Sequence, residues 1–117
     1  MARVLVVDDD LTVLGLVAGF LEASGHEVLR AADGAEAREA LHRGDVEVVV
    51  TDLHMPRLDG FGLVEHVRGL PQLVPVVMIS GTWTAEERTT ASSLGVARLH
   101  SKPVDLAQLA RDVDELA

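Results

Sequence analysis

Cysteine is absent from this chain, and basic residues are scarce. Without cysteine, neither a disulfide framework nor a thiolate metal site is possible. The 10 Lys and Arg residues are outnumbered by 19 Asp and Glu residues, which gives a formal net charge of −9. A surface this acidic argues against direct binding to nucleic acid or to anionic lipid, because both require a basic surface.

Long apolar runs and targeting signals are also missing. No uninterrupted apolar stretch approaches the roughly 18 residues that a membrane-spanning helix needs. The N-terminus lacks a basic segment followed by an apolar block, and the missing cysteines agree with a reducing compartment, so we expect a cytoplasmic location. No repeat, low-complexity tract or linker divides the 117 residues, so we expect a single domain over 1–117.

Apolar strand-like segments alternate with segments of helical periodicity. Five strands alternating with five helices indicate an α/β fold, in which a parallel sheet is covered by helices on both faces. The strands are predicted at Arg3–Val7, Glu27–Ala31, Val46–Thr51, Val76–Ser80 and Ala97–Ser101. The helices are predicted at Leu11–Ser24, Gly34–Arg43, Gly60–Arg68, Ala85–Leu94 and Leu106–Leu116.

Three of these strands end on polar side chains. The first runs into Asp8, Asp9 and Asp10, the third into Asp52, and the fourth into Ser80. In an open parallel sheet, ligands bind beyond the carboxyl ends of the strands. Neighbouring strands would bring these carboxylates together, and crowded carboxylates resist ionising together unless a cation joins them. The pattern therefore predicts a divalent metal and phosphoryl chemistry.

Each residue also has an ordinary structural explanation when it is taken alone. One aspartate of the first group can cap the following helix, and Asp10 is best placed for that role. Asp52 can be a loop carboxylate, Ser80 a hydroxyl bonded to its own backbone, and Lys102 a surface cation. These separate explanations leave the convergence at the strand ends unexplained.

The joint pattern resembles the receiver domain of two-component response regulators over essentially the whole chain. The resemblance implies a flavodoxin-like, doubly wound five-stranded parallel sheet with strand order 2-1-3-4-5 and five helices. It implies that the domain is not an enzyme, apart from its own Mg²⁺-dependent phosphorylation and dephosphorylation. The matching segments, in chain order, are VVDDD (6–10), TDLHMP (51–56), DG (59–60), SG (80–81) and SKP (101–103).

The resemblance also implies a role for each site residue. Asp52 matches the phosphoacceptor, which takes a phosphoryl group from the phosphohistidine of a sensor kinase or phosphotransfer protein. Asp8 and Asp9 match the acidic pair that holds Mg²⁺, with Asp52 and the backbone carbonyl of His54 as further ligands. Lys102 would pair with the phosphoryl oxygens, and in this family its bond to the following proline is cis. The implied output is a downstream protein target or a fused output domain, with neither nucleic acid nor membrane as a direct partner.

Phosphorylation in this family switches a protein-interaction surface around the fourth helix and fifth strand. Ser80 would move to bond a phosphoryl oxygen, while His54 and Thr82 border the phosphate and tune its removal by water. The aromatic residue that normally follows this movement is replaced here by Leu99. We hypothesise that Trp83, the only tryptophan, is partly exposed and supplies that surface; the alternative is a packing residue under the loop.

The first helix suggests a second surface beside the phosphorylation site. Leu11, Leu14, Gly15 and Ala18 form a small apolar face at helical spacing. Such a face is either a docking surface for the helices of a partner or an unremarkable spread of apolar residues. We expect docking.

Two other functions compete with a receiver domain. The segment DDDLT (8–12) fits the D-x-D-x-T opening of haloacid-dehalogenase-type phosphatases, in which Asp8 would be the nucleophile. That assignment leaves Asp52 and Lys102 without a joint role. A phosphate-independent receiver-like binding module is the other alternative, and Leu99 is the one feature in its favour.

Overall fold

The computed structural model describes all 117 residues and confirms the predicted α/β architecture. All five strands are parallel, and their order across the sheet is β2-β1-β3-β4-β5. None of the helices has the length and apolar character needed to cross a membrane. The elements are β1 Arg3–Val7, α1 Leu11–Ala23, β2 Glu27–Ala31, α2 Gly34–Arg43, β3 Val48–Asp52, α3 Gly60–Arg68, β4 Val76–Ser80, α4 Ala85–Leu94, β5 Arg98–Ser101 and α5 Leu106–Leu116.

Apolar clusters on the two faces of the sheet form the core. Successive side chains of a strand point to opposite faces, so Leu5 packs with the cluster under α2 and α3, whereas Val4 packs with the cluster under α1 and α5. Every residue of β3 and β4 is buried. This double coverage explains why the central strands are continuous apolar runs, and it holds the residues that follow them on a rigid base.

The sequence misplaced a few element boundaries by one or two residues. The third strand begins at Val48 instead of Val46 and includes Asp52, and the fifth begins at Arg98 instead of Ala97. The backbone N–H groups of Glu47 and Ala97 each donate one hydrogen bond to a neighbouring strand, without a full ladder on either side. Such half-paired residues are where strand boundaries are least defined.

Side-chain caps begin the helices as the sequence predicts. The Asp10 carboxylate accepts hydrogen bonds from the N–H groups of Thr12 and Val13, at 3.0 and 3.3 Å, and so caps α1. Thr84 and Glu87 form the predicted reciprocal capping box at the start of α4. Only Ala91 of α4 is buried, so this helix is held to the sheet by little apolar area.

The prediction of a docking surface on α1 is wrong. Leu14 is only 7% exposed and Ala18 is fully buried, because α5 covers this side of α1 with Leu109 and Val113. Leu14 and Ala18 are therefore part of the core, and Gly15 is half-buried. Leu11, which is 69% exposed, is the member of that face that does lie open to solvent.

Candidate functional site

The ends of β1, β3 and β4 bring the predicted carboxylates to one edge of the sheet. β3 lies between β1 and β4, and the register sets Val7 beside Thr51 and Asp52 beside Ile79. Asp8 and Asp52 are buried, at 3% and 4% exposure, whereas Asp9 is exposed. Carboxylate oxygens of the three aspartates lie within 4.8 Å of one another.

Lys102 enters the same site from the loop after β5. The Lys102 Nζ atom lies 3.2 Å from Asp52 Oδ1 and 3.5 Å from Asp8 Oδ2. The Lys102 backbone N–H donates to the Ser80 carbonyl, which ties this loop to the end of β4. The Lys102–Pro103 bond is cis. The one ammonium group therefore contacts both buried carboxylates.

The site disfavours the ionised form of both buried carboxylates. Burial raises the pKa of Asp8, and the charge of Asp52 adds to the rise, although the Asp10 N–H and the Lys102 ammonium act in the opposite direction. Burial likewise raises the pKa of Asp52, against the opposing effect of Lys102. Burial lowers the pKa of Lys102, but its contacts with Asp52 and Asp8 outweigh this and leave that pKa raised. The Lys102 ammonium therefore does not outweigh the effect of burial on either carboxylate.

The donor set fits a small, hard divalent cation. Asp8, Asp9 and Asp52 offer only oxygen atoms, which are the ligands that Mg²⁺ prefers. Burial, and to a smaller extent the neighbouring aspartate charges, raise the pKa of Asp8 and Asp52, and a bound dication would favour the ionised form of both carboxylates. Asp9 has no ion pair or side-chain hydrogen bond, and its exposed carboxylate is free to take a ligand position.

Ser80 is the last residue of β4, and Trp83 lies in the loop between β4 and α4. Ser80 is fully buried, and its Oγ accepts a hydrogen bond from the Thr82 N–H at 3.1 Å, which leaves the hydroxyl proton available to another acceptor. Trp83 is half-buried, and its indole N–H donates to the His100 carbonyl on β5 at 2.8 Å. The loop is thereby anchored to the neighbouring strand. Leu99 is half-buried against the same cluster as Trp83.

Sequence reasoning missed the partner of His54. The imidazole is 57% exposed, and its Nε2 lies 3.0 Å from Oε2 of Glu87 at the start of α4. The capping-box pattern identifies Glu87 as a cap, but it does not indicate that the second carboxylate oxygen reaches another loop.

A buried polar pair beneath β5 was also missed. His100 Nε2 lies 2.7 Å from Asp112 Oδ2 on α5, and both side chains are 8% exposed. Burial raises the pKa of Asp112, but hydrogen bonds with Gln108 and His100 and the charge of Arg98 outweigh it, so the net pKa is lowered. The only sequence signal is an aspartate on the apolar side of a helix, which does not name its partner.

These features define a doubly wound α/β domain with an acidic site at the carboxyl edge of its sheet. The family model described as the response regulator receiver domain matches residues 4–114 of the chain. The chain belongs to this family. Neither the phosphatase nor the phosphate-independent module is favoured by this match.

Solved structures and curated relatives agree with the assignment. The chemotaxis protein CheY4 of Vibrio cholerae is 29% identical to this chain, with a TM-score of 0.93. The match covers 100% of this chain and 99% of CheY4. The receiver domain of the Francisella response regulator 1452 is 28% identical with a TM-score of 0.91, over 99% of this chain and 96% of that one.

Among curated proteins, the transcriptional regulatory protein PrrA of Mycobacterium bovis is 38% identical over 97% of this chain. The matched region is 49% of PrrA, so the chain spans about half the length of that relative.

Proposed function

We propose that this domain is a phosphoacceptor switch, in which Asp52 takes a phosphoryl group from a phosphohistidine. The contact that carries this proposal is the placement of Asp52 within 4.8 Å of two other carboxylates and 3.2 Å from the Lys102 ammonium. The Asp52 carboxylate attacks phosphorus, the bond to the histidine nitrogen breaks, and an acyl phosphate forms. Lys102 stabilises the charge on the phosphoryl oxygens.

Mg²⁺ is the proposed cofactor. Asp8, Asp9, Asp52 and the backbone carbonyl of His54 would hold it, with Asp9 as a direct ligand and Asp8 acting through water. When bound, the ion supplies positive charge beside the phosphoryl oxygens during transfer. We propose that the domain catalyses no reaction other than its own phosphorylation and dephosphorylation.

The proposed phosphodonor is a sensor histidine kinase or a phosphotransfer protein, and the output is a downstream protein or a fused domain. The matched relatives include transcriptional regulators and the sensor histidine kinase RcsC of Salmonella typhi. The matched region makes up 11% of the length of RcsC. Nucleic acid would then be contacted by an attached domain, because the receiver itself carries a net charge of −9.

The proposed switch links Ser80 to the surface formed by α4 and β5. A phosphoryl group on Asp52 would attract the free hydroxyl proton of Ser80 and draw the β4–α4 loop inward. That movement would strain the hydrogen bond from Trp83 to the His100 carbonyl and shift the indole ring. Leu99 has no ring or hydroxyl to display, so we propose that Trp83 carries the change to the surface.

The direct test of the proposed function is chemical labelling. Acetyl phosphate and Mg²⁺ should add one phosphoryl group per chain, detected by mass spectrometry of the intact protein. A chelator should prevent the addition. No addition under either condition would refute phosphoryl transfer and leave the phosphate-independent module.

The cation requirement also predicts a reversal of stability between wild type and Asp52→Asn. Without metal at neutral pH, the variant should be more stable by about 1 kcal/mol, because one of the crowded charges is gone. The pKa of Asp52 is raised in the folded state, so the gap should close as pH falls through that pKa and the wild-type carboxyl becomes protonated. Mg²⁺ at about a hundred times its Kd should stabilise the wild type by about 2.7 kcal/mol.

Urea unfolding with and without chelator measures both effects. Asp9→Asn is the matched control, because its exposed carboxylate makes no hydrogen bond or ion pair in the fold. It should lose the Mg²⁺ effect and show a smaller metal-free gain, because Asp9 is exposed whereas Asp52 is buried. An unchanged order of stability between wild type and Asp52→Asn in Mg²⁺ would contradict the proposed cation site.

Trp83 provides an intrinsic reporter of the switch, since it is the only tryptophan. Phosphorylation should change its emission, because the indole leaves the His100 carbonyl and meets more water. Asp52→Asn should show no such change when it is treated with acetyl phosphate. Emission that ignored both Mg²⁺ and phosphorylation would count against a role of Trp83 in the switch.

A further inference from the structure

Two of the five histidines have no polar partner, and the fold places them side by side. The other three each contact an aspartate or glutamate side chain. His42 on α2 and His66 on α3 make no side-chain hydrogen bond or ion pair, and their ring centroids lie 5.3 Å apart. Nε2 of His66 is the one buried side-chain nitrogen or oxygen atom of the domain without a hydrogen-bond partner. A buried polar atom left unpaired in this way is rare and calls for an explanation, such as a bound ion.

The spacing of the two rings is the spacing that a shared metal ion requires. A zinc ion lies about 2.0–2.1 Å from each histidine nitrogen, and a ring centroid lies about 1.1 Å behind that nitrogen. Each centroid is then about 3.2 Å from the ion, and a tetrahedral angle between the two bonds separates the centroids by about 5.2 Å. The observed 5.3 Å agrees with this value, so the two helices already stand at a suitable distance.

The orientation of the rings is also compatible with a shared ion. Their planes are 73° apart, and a bond from metal to nitrogen allows either plane to rotate about it. His42 is exposed and free of hydrogen bonds, and the terminal side-chain torsion of histidine is broad. This ring can therefore turn one of its nitrogens towards His66. Zinc takes four ligands, so two positions remain for water on the exposed side of the pair.

Both histidines lie in the last turn of their helices, where positive charge is favoured. α2 ends at Arg43 and α3 at Arg68, and the free carbonyl groups at a helix end carry partial negative charge. These two helix ends lead into the starts of β3 and β4, so they lie at the edge of the sheet opposite the three aspartates. The histidine pair is therefore separate from the candidate Mg²⁺ site.

His66 is held in the form that a metal ion needs. A metal binds the lone pair of a neutral imidazole and competes with a proton for it. Burial lowers the pKa of His66, and the charges of His42 and Arg38 lower it further, so this ring is neutral at pH 7. The Arg38 guanidinium also repels a metal ion, which limits the affinity of the pair.

We propose that His42 and His66 form a second metal site, which binds a late first-row divalent ion such as Zn²⁺ through one nitrogen of each ring. Imidazole suits zinc, copper and nickel, whereas Mg²⁺ prefers oxygen ligands. An ion held by two side chains and water exchanges readily, and it ties α2 to α3 without taking part in phosphoryl chemistry. This site does not depend on the proposed function of Asp52.

The experiment is a Zn²⁺ titration at pH 7 in excess Mg²⁺, followed by long-range ¹H–¹⁵N spectra of the histidine rings. The signals of His42 and His66 should shift together as Zn²⁺ binds, whereas Mg²⁺ alone should leave both in place. Each ring has its own signals, so Zn²⁺ that reaches the aspartates does not obscure the result. His42→Gln and His66→Gln should each weaken Zn²⁺ binding at the remaining ring by at least about tenfold, because loss of a ligand costs no less than loss of a group that orients one.

Arg38→Gln is a control of opposite sign. Loss of this charge should tighten Zn²⁺ binding at the pair, because Arg38 opposes positive charge on His66. His42→Gln changes an exposed residue, so it keeps the test decisive if His66→Gln does not fold. Ring signals that ignore Zn²⁺, a shift confined to one of the two rings, or undiminished affinity in His42→Gln would overturn the second metal site.

Discussion

Replacing Asp52 with Asn is expected to reduce phosphoryl incorporation from acetyl phosphate by at least about a hundredfold, since loss of a nucleophile costs orders of magnitude in rate. Asp52 is buried at the end of β3. It lies 3.2 Å from the Lys102 ammonium and within 4.8 Å of two other carboxylates. The measurement is the labelled fraction of intact protein at fixed times, with Mg²⁺ present.

Two neighbouring aspartates provide controls for this result. Asp10→Asn keeps the cap of α1, because asparagine caps as well as aspartate, and its labelling should remain near wild type. Asp8→Asn should slow labelling without moving the phosphoryl group from Asp52. Loss of labelling in Asp8→Asn with retention in Asp52→Asn would instead favour the phosphatase-type nucleophile.

Gly60→Ala should destabilise the domain by about 3 kcal/mol, because a new Cβ would overlap rigid backbone. The added carbon would lie 2.7 Å from the carbonyl oxygen of Asp52 and 3.0 Å from the Cα of Leu53. Gly60 also donates its N–H to the Leu53 carbonyl, so the start of α3 presses directly on the acceptor loop. Relief of the overlap would displace Asp52, so the rate of labelling should fall with stability.

Gly62→Ala is the matched control for that substitution. Both glycines lie in α3, so alanine brings the same gain in helix propensity at either position. The Cβ added at position 62 would meet chiefly the Cδ1 end of the Leu58 side chain, which can rotate away. Gly62→Ala should therefore stay within about 1 kcal/mol of wild type in urea unfolding. Equal losses in the two variants would refute the backbone overlap as the cause.

The fold was predictable because local signals agree with one another along this chain. Apolar strand runs alternate with capped helices, and the aspartates at positions 10, 33, 59 and 105 each begin a helix. The strand order came from the resemblance to a known family, since alternation alone does not specify which strands are neighbours. The boundaries of β3 and β5 were less accurate because single interstrand hydrogen bonds extend beyond both strands.

Contacts between distant elements were beyond the reach of sequence patterns. The ion-pair contact of His54 with Glu87 and the hydrogen bond of His100 with Asp112 each join residues in different parts of the fold, and neither pair has a characteristic spacing. The error on α1 has the same origin, because periodicity marks an apolar face but does not say which helix covers it. Leu14 lies under α5, a fact that depends on the packing of the two helices.

The light anchoring of α4 has a consequence for how such a domain diversifies. Of its ten side chains, Ala91 is buried and Glu87 and Leu94 are half-buried, so the seven exposed ones can change with little effect on the core. Most surface substitutions alter stability by no more than about 0.5 kcal/mol. Descendants of this chain could therefore acquire new recognition preferences on α4 while the chemistry at the edge of the sheet stayed the same.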